Sequence, residues 1–185
     1  MSIAIFGYGS LLDKDSIEKT LGIPVCDEQF GFATLRGFTR SWSLFHHLDC
    51  YPENKRALFP SHKKYAVYLD VVPEKGAVIS GSLIMVSRDQ LCHLDQREMN
   101  YYKLEVSKHL QDGIFSVDEC YLYVGHKAYQ TARVEHDDCI IVKEYVDLVH
   151  RQLSDQSLFE ECPPLPEEVE VMSIPDFLQL AGQAS

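Results

Sequence analysis

IAIFGYGSLL, running from Ile3 to Leu12, is the stretch on which the fold turns. Ile3 to Phe6 reads as a short buried strand, after which the chain bends through Gly7-Tyr8-Gly9-Ser10. A strand running into Gly-x-Gly invites a dinucleotide-binding reading, which the neighbouring residues contradict. That fold needs Gly-x-Gly-x-x-Gly with its third glycine packed in a helix that opens at the loop; the third position here is Leu12. The helix signal comes later, within Asp13 to Glu18. There Asp15-Ser16-Ile17-Glu18 fits a capping box and predicts a helix to Leu21, ended by Gly22. About 20 positions on, where an acidic residue should close a second strand, the chain reads Cys26-Asp27-Glu28-Gln29. No Gly-Lys-Ser/Thr follows, which excludes a Walker A loop. Two readings remain for the turn. It is a tight strand–loop crossing, or its glycines let backbone N–H groups converge on an anion or carboxylate.

The wider composition bounds the function. The 185 residues are 45% hydrophobic and 24% charged, as expected of one globular domain. A net charge of -11, from 28 acidic against 17 basic side chains, argues against a nucleic-acid partner. No run approaches the roughly 20 apolar residues of a membrane span, and no basic-then-apolar leader pattern opens the chain. Cys26, Cys50, Cys92, Cys120, Cys139 and Cys162 are dispersed, without a Cys-x-x-Cys pair. They read as reduced thiols, and the expected location is cytoplasmic.

Strand and helix signals mix irregularly, which fits an α+β or mixed α/β domain better than a doubly wound sheet. Tyr65 to Val72 and Gly81 to Val86 read as a hairpin about the turn Pro73-Glu74-Lys75-Gly76. Ser87-Arg88-Asp89-Gln90 is a second capping box, opening a helix with Leu91 and Leu94 on one face. Tyr101 to Val106 and Cys120 to Val124 read as strands, and Ile140 to Leu153 as the best helix. The domain is expected over residues 1–160. Residues 161–185 are expected to be a Pro-rich, acidic tail docked on it, with Ser173-Ile174-Pro175-Asp176 expected to cap a last small helix.

Glu98 stands out in this pattern. Leu91, Leu94 and Glu98 share the inward helical face, whereas Asp95 and Arg97 lie off it and are expected in solvent. A carboxylate there is costly unless paired or used, and burial raises its pKa toward the working range of a general base. Spacing alone leaves open a helix-end Glu paired with Arg97 or Lys103. His46-His47 with Asp49 and Cys50, and His136 with Asp137, Asp138 and Cys139, match no familiar zinc spacing. Ser10 lacks the Gly-x-Ser-x-Gly of a nucleophile elbow.

Taken together, these stretches resemble the gamma-glutamylcyclotransferase superfamily, with the ChaC-type branch nearest. FGYGSLL resembles its N-terminal signature. Arg36-Gly37-Phe38-Thr39-Arg40-Ser41-Trp42 is similar to its Gly-aromatic-x-Arg-x-Trp segment, and Leu94 to Glu98 followed by Tyr101 or Tyr102 to its Arg-Glu…Tyr segment. Met99-Asn100-Tyr101 lacks the glycine usual in ChaC-type members, and His46 to Lys64 matches no part of the pattern.

The resemblance implies a mixed β-sheet or partial barrel flanked by helices. It also implies a lyase reaction in which a γ-glutamyl amine closes on its own γ-carbonyl, giving 5-oxoproline and a free amine. It makes Glu98 the catalytic acid/base, and Ile5, Phe6, Gly7, Tyr8, Gly9 and Ser10 the substrate cradle. Tyr121 or Tyr123 is a candidate for a further hydroxyl in the pocket, or a core tyrosine. No metal or other cofactor is implied, and the partner is a small γ-glutamyl molecule, with neither nucleic acid nor membrane. A non-catalytic binding module built on the same fold is the rival reading.

Overall fold

The computed structural model describes residues 2–98, 101–130, 134–155 and 162–178. β1 (Ile3–Gly7) has all five residues buried. Behind it come α1 (Lys14–Leu21), β2 (Phe30–His47), α2 (Glu53–Arg56), β3 (Tyr65–Val86) and α3 (Arg88–Arg97). The chain continues through β4 (Tyr101–Glu105), β5 (Leu110–Gln111), β6 (Glu119–Gly125), α4 (Lys127–Gln130), β7 (Cys139–Val142), α5 (Lys143–Asp155) and β8 (Glu170–Met172).

The strands form one eight-stranded mixed sheet ordered β4-β6-β1-β3-β2-β5, with β7 joining β3 and β8 joining β7. β1 lies between antiparallel β3 and parallel β6, so Phe6 is opposite Leu83 on one side and Leu122 on the other. β2 and β3, 18 and 22 residues long, pair antiparallel along most of their length. Register shifts fall between Arg36 and Phe38 and between Trp42 and Leu44. Such bulges add local twist, and the sheet curls into a half-barrel flanked by helices, a single domain.

Alternation along β1 divides the core between the two faces of the sheet. Phe6 joins the larger cluster, with Leu83, Leu122, Val149 of α5 and Phe177 of the C-terminal segment. Ile5 joins the smaller one, with Ile17 of α1 and Leu91 and Leu94 of α3.

Four expectations change. Tyr65 to Val72 and Gly81 to Val86 do not pair as a hairpin: both belong to β3, and each half pairs with β2. Arg36 is opposite Val78 and Phe38 opposite Pro73, so residues 74–77 bulge out against Gly37. Gly37 and Gly76, both at φ +89°, supply the left-handed backbone this needs. The turn chemistry is present, but the chain bulges without reversing. Residues 139–142 are strand β7 and not the start of the helix, because four consecutive buried positions leave no solvent face for an amphipathic turn. α1 is capped by Asp13, whose carboxylate accepts from the Ser16 N–H at 3.0 Å, while Glu18 accepts from the Val25 N–H at 2.9 Å. Arg97 is not in open solvent but half-buried at the site described below.

The C-terminal segment is built into the sheet through β8, and Trp42 Nε1 donates to the Pro163 carbonyl at 3.0 Å. Of the last small helix, Phe177 and Leu178 are helical, and its remaining residues lie outside those described. Among the described residues no helix is long and apolar enough to cross a membrane.

Candidate active site

The turn after β1 is fixed by its contacts. A Cβ at Gly7 would stand 2.4 Å from Ser82 Oγ and 2.6 Å from the Leu11 carbonyl oxygen, so only glycine fits. In that space Ser82 donates to the Leu11 carbonyl at 2.6 Å. Buried Arg40 donates through Nε to the Tyr8 carbonyl at 3.1 Å and through Nη2 to the Ser80 carbonyl. The Tyr8 hydroxyl donates to the Tyr123 carbonyl at 2.8 Å and to Asp70 Oδ1 at 3.2 Å. Asp70 Oδ1 also accepts from the backbone N–H groups of Val71 (2.8 Å) and Gly125 (3.0 Å). A loop tied at its carbonyl and its side chain keeps one shape, which is what a pre-organised site requires.

Glu98 reaches the same place from α3. Ser87 and Gln90 close the expected capping box, with Ser87 Oγ accepting from the Gln90 N–H and Gln90 Oε1 from the Ser87 N–H. Burial of Leu91 and Leu94 then fixes the helix rotation that brings Glu98 to its C-terminal end, facing inward. The Glu98 side chain is 12% exposed and meets Arg97 Nε at 3.3 Å. Arg97 also donates to the hydroxyls of Thr20 (2.7 Å), Ser10 (2.9 Å) and Ser16 (3.4 Å), linking the acid to the loop and to α1. Burial pushes the Glu98 carboxyl above the usual carboxylate range, and the Arg97 charge works against that rise.

Two cavities meet at this point. The larger, about 280 Å³, is lined by residues of α1, α2, α5 and the C-terminal segment. The smaller, about 30 Å³, lies against Phe6, Tyr8, Gly9 and Leu11. Ser10, Glu98, Tyr101 and Tyr145 line both. Burial, reinforced by neighbouring negative charge including that of Glu98, raises the hydroxyls of Tyr8, Tyr101 and Tyr145, which remain neutral hydrogen-bonding groups. Tyr145 stands edge-on to Trp42 and Tyr68, with ring centroids 5.9 and 5.2 Å apart, and so is held on two sides.

The structure therefore brings Phe6, Tyr8, Gly9 and Ser10 together with Glu98. Ile5 points into the smaller core cluster, and neither it nor Gly7 lines either of these two cavities. Tyr101 lines both cavities, whereas Tyr102 is exposed. Tyr123 lines the small cavity with its hydroxyl donated to Asp95, and Tyr121 turns away to Glu119. Glu98 is both paired, as one reading of its position had it, and turned toward a cavity, as the other had it. Lys103 bonds Asp95 instead.

The sequence reading passed over Tyr145, Tyr68, Tyr51 and Lys55 as lining residues, and Arg40 and Asp70 as the groups that fix the loop. The Arg36 to Trp42 segment, with Arg40 two residues before Trp42, was the available signal for Arg40. Among the described residues no three His, Cys, Asp or Glu side chains group as a metal site.

Comparison with known proteins gives a consistent answer. The family model described as gamma-glutamyl cyclotransferase, AIG2-like matches residues 5–145. A solved structure named gamma-glutamyl cyclotransferase superposes with a TM-score of 0.58 at 15% identity, over 97% of this chain and 99% of that one. An uncharacterized human protein gives 0.56 at 15% identity, over 96% and 98%. A yeast gamma-glutamyl cyclotransferase specific to glutathione gives 0.52 at 13% identity, over 87% and 93%. At these identities the superpositions speak to the fold alone. No curated protein sequence matches the chain. The family model is the AIG2-like one, where the sequence motifs had put the ChaC-type branch nearest. The chain belongs to the gamma-glutamyl cyclotransferase, AIG2-like family.

Proposed function

We propose that this chain is a γ-glutamyl cyclotransferase with Glu98 as its general acid/base. The observation that carries the reading is the position of one nearly buried carboxyl. Glu98 lines both cavities, beside the Gly7–Ser10 turn, with its proton affinity raised by burial. The γ-glutamyl portion of the substrate sits at the small cavity beside Tyr8, Gly9 and Ser10, and the amine to be released extends into the large one.

The reaction is intramolecular, so the nucleophile is already tethered and much of the entropic cost of bringing reactants together is avoided. Glu98 takes a proton from the substrate α-ammonium. The amine nitrogen bonds to the γ-carbon, and the carbonyl oxygen becomes an oxyanion. Glu98 passes that proton to the original amide nitrogen. The oxyanion reforms the carbonyl as the bond from the γ-carbon to that nitrogen breaks. The second proton shed by the attacking nitrogen follows to the departing amine, which leaves as an ammonium while the lactam keeps one N–H. 5-Oxoproline and the amine result, and Glu98 ends as it began. Backbone N–H groups of the turn and the neutral tyrosine hydroxyls are the available donors for the oxyanion and the α-carboxylate.

A panel of γ-glutamyl amino acids, γ-glutamyl amines and glutathione, assayed for 5-oxoproline, tests the reading. At least one should be cyclised, and its N-acetylated form should be inert because the nucleophile is blocked. Release of the amine from the N-acetylated compound at a comparable rate would make the protein a hydrolase. No turnover across the panel would favour a binding module.

A further inference from the structure

The segment His46 to Lys64 carries none of the family motifs, yet it contributes a cation to the large cavity. Lys55, on α2, lines that cavity together with Glu98. Its ammonium lies 4.2 Å from the centroid of the Tyr51 ring and 5.0 Å from that of Phe177. The ammonium is thus held over two aromatic rings at the cavity wall.

Among the described residues no carboxylate forms an ion pair with Lys55. Its situation differs from that of Lys63 and Lys64, which pair with Glu170 and Asp138. Nearby Arg97 is already committed to Glu98 and three hydroxyls. Lys19 and Arg151 also reach the cavity, but both are exposed. Lys55 is therefore a half-buried cation that pairs with no carboxylate among the described residues and faces the large cavity.

From this we infer that Lys55 binds a carboxylate on the departing amine, so that the preferred substrates are γ-glutamyl amino acids or peptides and not γ-glutamyl amines without an acid group. The inference rests on the cyclotransferase reading for the orientation of the substrate: its γ-glutamyl end lies at the small cavity, which leaves the departing group facing Lys55. Burial and the Arg97 charge bring the Lys55 ammonium down to about 8, so a bound anion relieves an unfavourable charge and is drawn to it. The same cation repels a departing group that carries a positive charge.

The test uses γ-glutamylalanine and γ-glutamylethylamide, which differ only by the carboxylate on the departing group. Wild type should favour γ-glutamylalanine in kcat/KM. Lys55→Met should lower that value about 10- to 100-fold, chiefly through KM, the range expected for one lost charged hydrogen bond. The ethylamide should change less than about twofold on that basis, and Lys55→Arg should restore part of the loss. Equal losses for both compounds, or no loss for either, would overturn the inference, as would a wild type that does not distinguish them.

Calorimetric binding of the two compounds to wild type and Lys55→Met separates this from the parent reading. If no compound of the full γ-glutamyl panel is turned over, the cyclotransferase reading fails. A carboxylate preference in binding that disappears with Lys55→Met would still uphold the Lys55 site. Equal binding of the two compounds, or none, would remove it. If Lys55→Met does not fold, the wild-type preference and the Lys55→Arg variant decide by the same criteria.

Discussion

A methyl group added at Gly9 tests the geometry of the loop against the cavity wall. An ideal Cβ there stands 2.8 Å from the Tyr145 hydroxyl oxygen, and the next atom of that ring is 3.9 Å away. Ordinary contact begins at 3.4 Å, so about 0.6 Å must be absorbed by Tyr145 or by the loop. Neither yields easily. Tyr145 is held edge-on by Trp42 and Tyr68, and Arg40 fixes the carbonyl next to Gly9. Overpacking of this kind costs about 1–3 kcal/mol, or a fall in Tm of roughly 3 to 10 °C for a chain of this size. Gly9→Ala should also displace the wall of the small cavity and lower turnover by about 100-fold. Tyr145→Phe removes the atom that the methyl meets and leaves ring carbon at an ordinary distance. Denaturant melts of the wild type, both single variants and the double variant form a cycle. Gly9→Ala should be milder in the Phe background, with a coupling of at least about 1 kcal/mol. The same penalty in both backgrounds would refute the contact and the loop geometry inferred from it.

Arg97→Met removes the charge that opposes the burial-driven rise of the Glu98 carboxyl. The acid limb of kcat/KM against pH should therefore move to higher pH, because the base form appears only above the raised value. An unmoved limb would dissociate that limb from Glu98. Prolonged chelation should leave turnover unchanged, since the proposed steps move protons through a side chain alone; activity lost to a chelator and restored by zinc or magnesium would refute that mechanism.

The two ends of the site were legible for physical reasons. β1 is a short apolar run ended by glycines, and α3 is announced by a reciprocal cap and a Leu–Leu–Glu face, so local chemistry suffices. β2 was not recognised as a strand. Its alternation breaks phase at the Arg36–Phe38 bulge, and its inward face carries Arg40 and His46 among the apolar residues. β3 was split in two because Pro73 to Gly76 has the composition of a reversal. Whether such a segment turns or bulges depends on Gly37 in the facing strand, a long-range partner that no local window contains. Residues 139–142 mislead in the same way, since a short apolar run at a helix start does not reveal its own period. Arg97 was expected in solvent because helical spacing puts it off the apolar face. Its guanidinium instead reaches Ser10, Ser16 and Thr20, which tertiary structure alone gathers. Lys55, Tyr68 and Tyr145 come to the large cavity from segments distant in sequence, with no spacing to connect them.

The central claim is that Glu98 moves the proton, and Glu98→Gln tests it most directly. The amide keeps the shape but cannot accept a proton, so 5-oxoproline release should fall by about 10²- to 10⁴-fold. The folded carboxyl binds its proton more tightly than the unfolded one, so wild type loses stability as pH rises through the raised value. The variant escapes that loss, and Arg97 keeps its three hydroxyl partners. Its Tm should equal or exceed that of wild type, with the margin widening toward neutral pH. Melts and 5-oxoproline assays on the same samples read both quantities. A folded variant of undiminished stability with turnover down at least about a hundredfold is the result predicted. A destabilised variant that keeps more than about a tenth of the wild-type rate per folded molecule, outside that range, would make Glu98 a structural charge and contradict the account.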